Sequence, residues 1–302
     1  MKSHSAIGYS YDQILEALGL TDVGNTLTAD EIINDPNKLQ LVREYLAKQK
    51  VSSSILDAHR WILNWFGDYP RLEFPEVDIP IHKSNDRITE ETHVWHPALL
   101  DLLEQKCIPL YTYQSFFKQA RIYDSGTKNV YYALTHKNDG GGIVITASKE
   151  EQSVIGDNDI TFIGGSVYQY GGLHIFKGVF DYLAALQQVN KGIQFKNDTI
   201  ILNFYSNLNK TNPFLKKYEY RHLYMPALAE KERAVSKSRD AQKGYKEIYT
   251  WMPNDDLGKQ VTKSLGDFLK TELSLTHIPM NPNYAGYRDV SAFHSTKYGL
   301  IG

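Results

Sequence analysis

A single cysteine, Cys107, leaves no partner for an internal disulfide and too few thiols for a Cys-rich zinc ribbon. No apolar run approaches the ~18 residues that a bilayer-crossing helix requires. An excess of charge of one sign is missing too. With 33 Lys and Arg against 35 Asp and Glu the net charge is −2, so any attraction to nucleic acid has to be local. The first residues, Met1-Lys2-Ser3-His4-Ser5, run into Tyr9-Ser10-Tyr11-Asp12 without a hydrophobic segment. They do not read as a secretory signal, and a cytoplasmic protein without membrane contact is expected. Gly140-Gly141-Gly142 precedes strand-like residues rather than a helix carrying Lys and Ser/Thr, which excludes a P-loop. What is present is a 42% apolar chain of 302 residues with a mean hydropathy of −0.42, enough for one large or two modest packed domains.

Residues 1–70 read as helical. Tyr11 to Leu20, Leu39 to Lys48 and Ser53 to Phe66 carry apolar residues at helical spacing, and Thr28 with Glu31 forms a capping box ahead of a short element that Pro36 ends. Residues 71–94 read as a linker, continuing a run in which Pro70, Pro75 and Pro80 recur every five residues. Residues 95–170 read as a mixed subdomain, with short helices at Leu99–Glu104 and Tyr113–Ala120. Strands follow at Val130–Thr135, Gly142–Thr146 and Thr161–Ile163. The turn chemistry of Lys137-Asn138-Asp139-Gly140-Gly141 makes the first two of these strands a hairpin. From 171 to 302 the rhythm is strand–helix–strand: Leu173–Phe176, Val179–Val189, Thr199–Phe204, Glu247–Met252 and Leu257–Leu273. Such alternation predicts an α/β fold with a mostly parallel sheet flanked by helices.

One segment is electrically distinct. Between residues 206 and 246, ten Lys and Arg face four acids, a local net of +6 that leaves −8 for the remainder. Lys210, Lys216, Lys217, Arg221, Lys231, Arg233, Lys237, Arg239 and Lys243 are candidate phosphate contacts, and Tyr218, Tyr220 and Tyr224 could stack bases among them. The alternative is the solvated basic face of an amphipathic helix. His93 and His96 are spaced like a ligand pair but lack a third partner, and Cys107 beside Ile108 reads as a buried thiol rather than a nucleophile.

In a parallel sheet, functional groups collect at the carboxyl ends of the strands. The sequence supplies Phe176-Lys177-Gly178-Val179-Phe180-Asp181, Met252-Pro253-Asn254-Asp255-Asp256-Leu257-Gly258-Lys259 and Arg288-Asp289-Val290-Ser291-Ala292 at such places. Across residues 95–295 these turns and the order of elements resemble the toprim domain of DNA primases, and most of all the primase-like proteins of plasmids, conjugative elements and phages. Tyr131–Gly142 is similar to the hairpin that precedes the toprim core, and Lys106-Cys107-Ile108-Pro109 to the segment before it. The helices of residues 39–66 resemble the stretch that follows a zinc ribbon in such proteins, the ribbon itself being absent here. The resemblance implies a Glu acting as general acid/base at the first turn and an Asp pair holding Mg²⁺ at the second. Here Lys177 stands where the Glu is expected and Pro253 where the first Asp is expected. Gly178, Asp181, Asp255 and Asp289 keep their places.

Mg²⁺ wants several oxygen ligands, and an ammonium a few ångströms away repels it. The expectation is therefore a degenerate site, Lys177, Asp181, Asp255, Asp256 and Asp289, that holds no metal and needs no cofactor. Lys177 either contacts a phosphate or pairs with Asp255 or Asp289. Three functions stay open. The first is a catalytically impaired toprim protein that binds DNA or RNA, with a replication or mobilisation protein as a possible partner. The second is an active Mg²⁺-dependent primase or nuclease using the remaining acids. The third is a protein-binding scaffold.

Overall fold

A computed structural model describes residues 29–48, 58, 62, 81–82, 85–147, 152–165, 172–190, 195–216 and 245–299. The chain divides into two compact units, Met1–Pro70 with Tyr220–Ala234 and Arg71–Glu219 with Val235–Gly302. In the first, helix α1 spans Ala29–Ile33 and α2 spans Pro36–Lys48. Pro36 opens the second helix rather than merely closing the first. A proline costs nothing at the first helical position, where the N–H has no partner in any case. The Asp35 carboxylate accepts from the amides of Asn37 and Lys38 at 2.9 and 3.3 Å and caps the helix. Leu39, Val42 and Leu46 form its buried stripe, and Ala58 and Ile62 are buried four residues apart. The helix expected over residues 11–20 lies outside the described residues.

The second unit contains two sheets. The first has the order β1-β6-β5-β4-β3-β2, built from β1 Ile81–His82, β2 Arg87–Thr92, β3 Lys118–Tyr123, β4 Val130–Lys137, β5 Ile143–Thr146 and β6 Gln152–Ile155. All its pairings are antiparallel except β1 with β6. Part of the expected linker is thus sheet: Arg87–Thr92 is an edge strand. Its sequence is polar because an edge exposes most of its side chains, so periodicity carries no signal there. Helix α3 spans Pro97–Gln105 and α4 spans Leu110–Gln114. The helix expected over 113–120 ends at Gln114, and Lys118 begins β3, whose pairing with β4 outweighs local preference. The β4–β5 hairpin forms as expected. Gly141 takes a φ of +83°, and the Asn138 side chain accepts from the Gly142 amide at 2.8 Å.

The second sheet has the order β11-β10-β8-β9-β7, from β7 Thr161–Ile163, β8 Gly172–Phe176, β9 Asp198–Ile201, β10 Glu247–Trp251 and β11 Thr276–Pro279. Four strands are parallel, and β7 runs antiparallel to β9. Helices α5 Val179–Asn190, α6 Asn212–Lys216, α7 Asp256–Thr271 and α8 Val290–Tyr298 complete the unit. This is the mostly parallel α/β sheet with flanking helices that the strand–helix rhythm predicts. Central β8 is buried along its whole length, as a strand covered on both faces must be. Directly paired residues stack across β8 and β10: Phe176 on Trp251 at 5.1 Å between ring centroids and His174 on Tyr249 at 4.7 Å. Trp251 Nε1 donates to His174 Nδ1 at 3.1 Å, and burial lowers the His174 pKa to about 4, keeping the ring a neutral acceptor.

One core joins the two sheets. Leu99, Leu103 and Phe117 pack with Leu134 of β4 and with Phe180 and Leu183 of α5, while Phe204 meets Val144 and Val154. A polar link accompanies it: His136 Nε2 lies 3.1 Å from Asn203 Oδ1, and Asn203 Nδ2 donates to the Asp159 carbonyl and to Thr161 Oγ1. Asn203 adopts a φ of +64°, a conformation asparagine tolerates better than most residues, and so ends the β9 run just before Phe204. No helix among the described residues is long and apolar enough to cross a membrane.

Candidate functional site

The sheet order creates the site. From β8 the chain crosses to β9 on one side, whereas β10 on the other side leads to β11. The connections leaving β8 and β10 therefore diverge and open a crevice between the carboxyl ends of two adjacent parallel strands. That is where open α/β sheets bind ligands. The crevice here is about 230 Å³, and its walls include Lys177, Gly178 and Asp181 after β8, Pro253 and Asp255 after β10, and Arg288 and Asp289 before α8. The three motif turns of the sequence thus meet at one place. Asp256 does not join them; it is exposed at the first position of α7.

Each carboxylate has a local task. Asp255 caps α7, its Oδ1 accepting from the Gly258 amide at 2.7 Å. The turn demands a glycine at 258, since a Cβ there would be driven into the Pro253 carbonyl oxygen. Asp289 caps α8 through the Ala292 amide at 2.7 Å and pairs its other oxygen with Arg288 Nε at 2.6 Å. Asp181, 9% exposed, accepts from the Ser291 amide at 3.4 Å. Burial, reinforced by the Asp289 charge, raises the Asp181 pKa to about 7, against the opposing pull of the Ser291 amide, Lys177 and Lys106. Asn254 holds the turns together: its amide donates to the Arg288 carbonyl at 2.6 Å and its side chain to the carbonyls of Tyr284 and Tyr287. Tyr284 adds a hydroxyl bond to the Met252 carbonyl at 2.8 Å.

Lys177 Nζ donates to the Asn203 carbonyl at 3.2 Å and sits over the rings of Phe204 and Tyr205 at 5.7 and 5.4 Å. A second lysine enters from a distant part of the chain. Lys106, at the end of α3, is buried, lies over the Phe180 ring at 5.5 Å and lines the crevice, as does Thr146 from the end of β5. The resemblance marked the segment around Lys106 without giving it a role, Ser291 lay in the third strand-end turn without a role of its own, and nothing in the sequence pointed to Thr146.

Among the described residues no three His, Cys, Asp or Glu side chains converge so as to hold a metal ion. Asp255 and Asp289 spend oxygens on helix caps, Asp289 also on Arg288, and burial with the neighbouring Asp289 charge raises the Asp181 pKa to about 7, so that a large share of it is uncharged at neutrality. This donor set does not fit the Mg²⁺ that the resemblance implies.

Of the basic candidates, Lys210 is half-buried, pairs with Asp159 at 3.3 Å and donates to the Asn158 carbonyl. It is tied to the fold through the 3₁₀ turn Tyr205–Thr211, whose Leu208 is buried. Lys216 ends α6, and its side chain lies outside the described residues, as do Lys217, Arg221, Lys231, Arg233, Lys237, Arg239 and Lys243. His93 is exposed, whereas His96 stacks on Tyr132 at 4.6 Å. Cys107 is half-buried rather than buried, because a φ of 51° turns it toward α8, where its Sγ lies 3.9 Å from the Ser295 carbonyl.

The fold and site define an α/β protein with a mostly parallel sheet whose strand-end crevice is lined by cations and helix-capping acids. No family model matches the chain, and no curated protein matches it in sequence. Among solved structures it is similar to the primase fragment of the bacteriophage T7 primase-helicase protein, with a TM-score of 0.39 and 11% identity over 76% of this chain and 80% of that one.

Proposed function

We propose that this protein is a catalytically impaired, primase-like toprim protein that binds nucleic acid, DNA foremost, in the replication or mobilisation of a mobile genetic element. The observation that carries the reading is the composition of the crevice. An ammonium stands at the end of β8 where the resemblance calls for a general acid/base, and the remaining acids are committed to helix starts and to Arg288. A proline at 253 removes a further carboxylate and stiffens the turn. Without a metal and an acid/base, phosphodiester chemistry has no activated nucleophile and no stabiliser for the charge that develops. Binding remains, and the basic run from Lys216 to Lys243 supplies the electrostatic term.

The test has two arms. Fluorescence anisotropy with a labelled single-stranded oligonucleotide should give binding whose log K falls with log salt at a slope of about −0.9 for each phosphate neutralised on a duplex and about −0.7 on a single strand. Incubation with template, nucleotides and Mg²⁺ or Mn²⁺ should give no primer and no nicking. Primer synthesis lost on Asp255→Ala substitution would establish the enzyme reading instead. Absence of oligonucleotide binding at low salt would leave the scaffold reading.

A further inference from the structure

Three helices begin at the crevice. The first turn of α5 contributes Val179, Phe180 and Asp181 to its wall, α7 its cap Asp255, and α8 its cap Asp289 together with Ser291. Their lengths are 12, 16 and 9 residues, and each turns the positive end of its dipole to the crevice, the Gly258, Ser291 and Ala292 amides of α7 and α8 being taken by Asp255, Asp181 and Asp289. Lys106, Lys177 and Arg288 add three cationic groups from three different elements. Helix ends and cations alone would describe no more than a well-capped turn cluster. A second observation points to a ligand. The Ser291 hydroxyl, on a residue 3% exposed, and the Thr146 hydroxyl, on a residue 1% exposed, find no hydrogen-bond partner among the described residues, and both residues line this crevice. A buried hydroxyl left unpaired costs about 1–3 kcal/mol, so two at one cavity mark a place where a polar group is missing.

From this geometry we infer that the crevice is a metal-free binding site for a phosphate group, with the Ser291 and Thr146 hydroxyls donating to its oxygens and Lys106, Lys177 and Arg288 balancing its charge. A cation would face three positive helix ends and three basic side chains, and of the three carboxylates in the wall Asp255 and Asp289 are engaged as helix caps, Asp289 also with Arg288, while the Asp181 pKa is raised to about 7. A carboxylate offers two oxygens, whereas a phosphate offers several, enough for donors drawn from β5, α8 and the β8 turn at once. The pocket stands on its own observations. The inference rests on the preceding reading only for the source of the phosphate, which is a nucleic-acid backbone or a free phosphate ester.

The experiment uses the full chain, with inorganic phosphate as probe followed by ³¹P line broadening and calorimetry, and with phosphate as competitor against a labelled single-stranded oligonucleotide. Ser291→Ala and Thr146→Val should each weaken phosphate binding about tenfold, the worth of one hydrogen bond to a charged group. A hydroxyl without a protein partner contributes nothing to folding, so the melting temperature of each variant should stay level or rise. Competition with the oligonucleotide identifies a backbone phosphate as the source. Phosphate binding that both variants weaken but that leaves the oligonucleotide bound identifies a free ester, and also supports the site. Phosphate affinity unchanged in both variants, or absent at millimolar phosphate, overturns the inference. If the oligonucleotide still binds in that case, the nucleic-acid reading survives without this site.

Discussion

Replacing Asp181 by asparagine isolates the most perturbed group of the crevice. The carboxyl is buried beside Asp289, and its pKa is raised from 3.8 to about 7, chiefly by desolvation. An acid whose pKa is higher in the folded state binds its proton more tightly there. Its contribution to stability is therefore complete below pH 3.8, falls as pH rises toward 7, and is a full penalty above. At about 1.4 kcal/mol per unit, the shift to about 7 limits that penalty to about 4 kcal/mol. Asparagine keeps an oxygen for the Ser291 amide and places a donor beside the Asp289 carboxylate, but never ionises. Asp181→Asn should therefore stabilise the protein at pH 8 by about 1–4 kcal/mol, and by distinctly less at pH 5. Urea unfolding followed by tryptophan fluorescence, with Trp251 reporting from the strand beside β8, measures both values. Taking the difference between variant and parent at each pH cancels every other titrating group. Equal effects at the two pH values, or destabilisation at pH 8, would refute the account of Asp181 as a carboxyl held against its ionisation. The same substitution bears on the proposed phosphate site: the parent should bind inorganic phosphate more tightly at pH 6 than at pH 8, and Asp181→Asn should flatten that dependence.

Gly258→Ala pushes a methyl group into the Pro253 carbonyl and should cost more than 2 kcal/mol by thermal melting, an overpacking penalty on backbone that cannot yield. Asp255→Ala removes only the cap of α7 and should cost about 1 kcal/mol in the same assay. Trp251→Ala removes the ring stacked on Phe176 and should cost about 3–5 kcal/mol in urea. His136 and His174 each have a pKa lowered to about 4 by burial, so both favour the folded state above the ordinary value of 6.5 and lose that contribution as pH falls toward 4. Unfolding midpoints should decline over that window, and His174→Gln should lessen the decline.

The parts of the fold that could be read from the sequence are those whose side chains state their own environment. Leu173–Phe176 and Thr199–Ile201 are mostly apolar, interrupted only by His174 and Thr199, because their strands are buried on both faces. Asp256–Thr271 shows a helical stripe because one face packs and the other meets water. The edge strand Arg87–Thr92 and the short strands Gln152–Ile155 and Thr276–Pro279 carry no such mark; they exist because a neighbouring strand offers them a ladder. Of the strand Lys118–Tyr123, the residues up to Ala120 read in the sequence as the tail of a helix, for the same reason.

The candidate site divides in the same way. Lys177 and Pro253, the acids Asp181, Asp255 and Asp289, and the glycines at 178 and 258 are legible in the chain as written, because short turns impose their chemistry on residues a few positions apart. Which of those acids face a common cavity was settled by the strand order, since only a chain that leaves β8 and β10 in opposite directions opens a crevice there. Lys106, Thr146 and Ser291 come together from positions up to 185 residues apart. No local pattern encodes a meeting of that kind; it comes from the packing of one sheet against another and of α3 and α8 around α5.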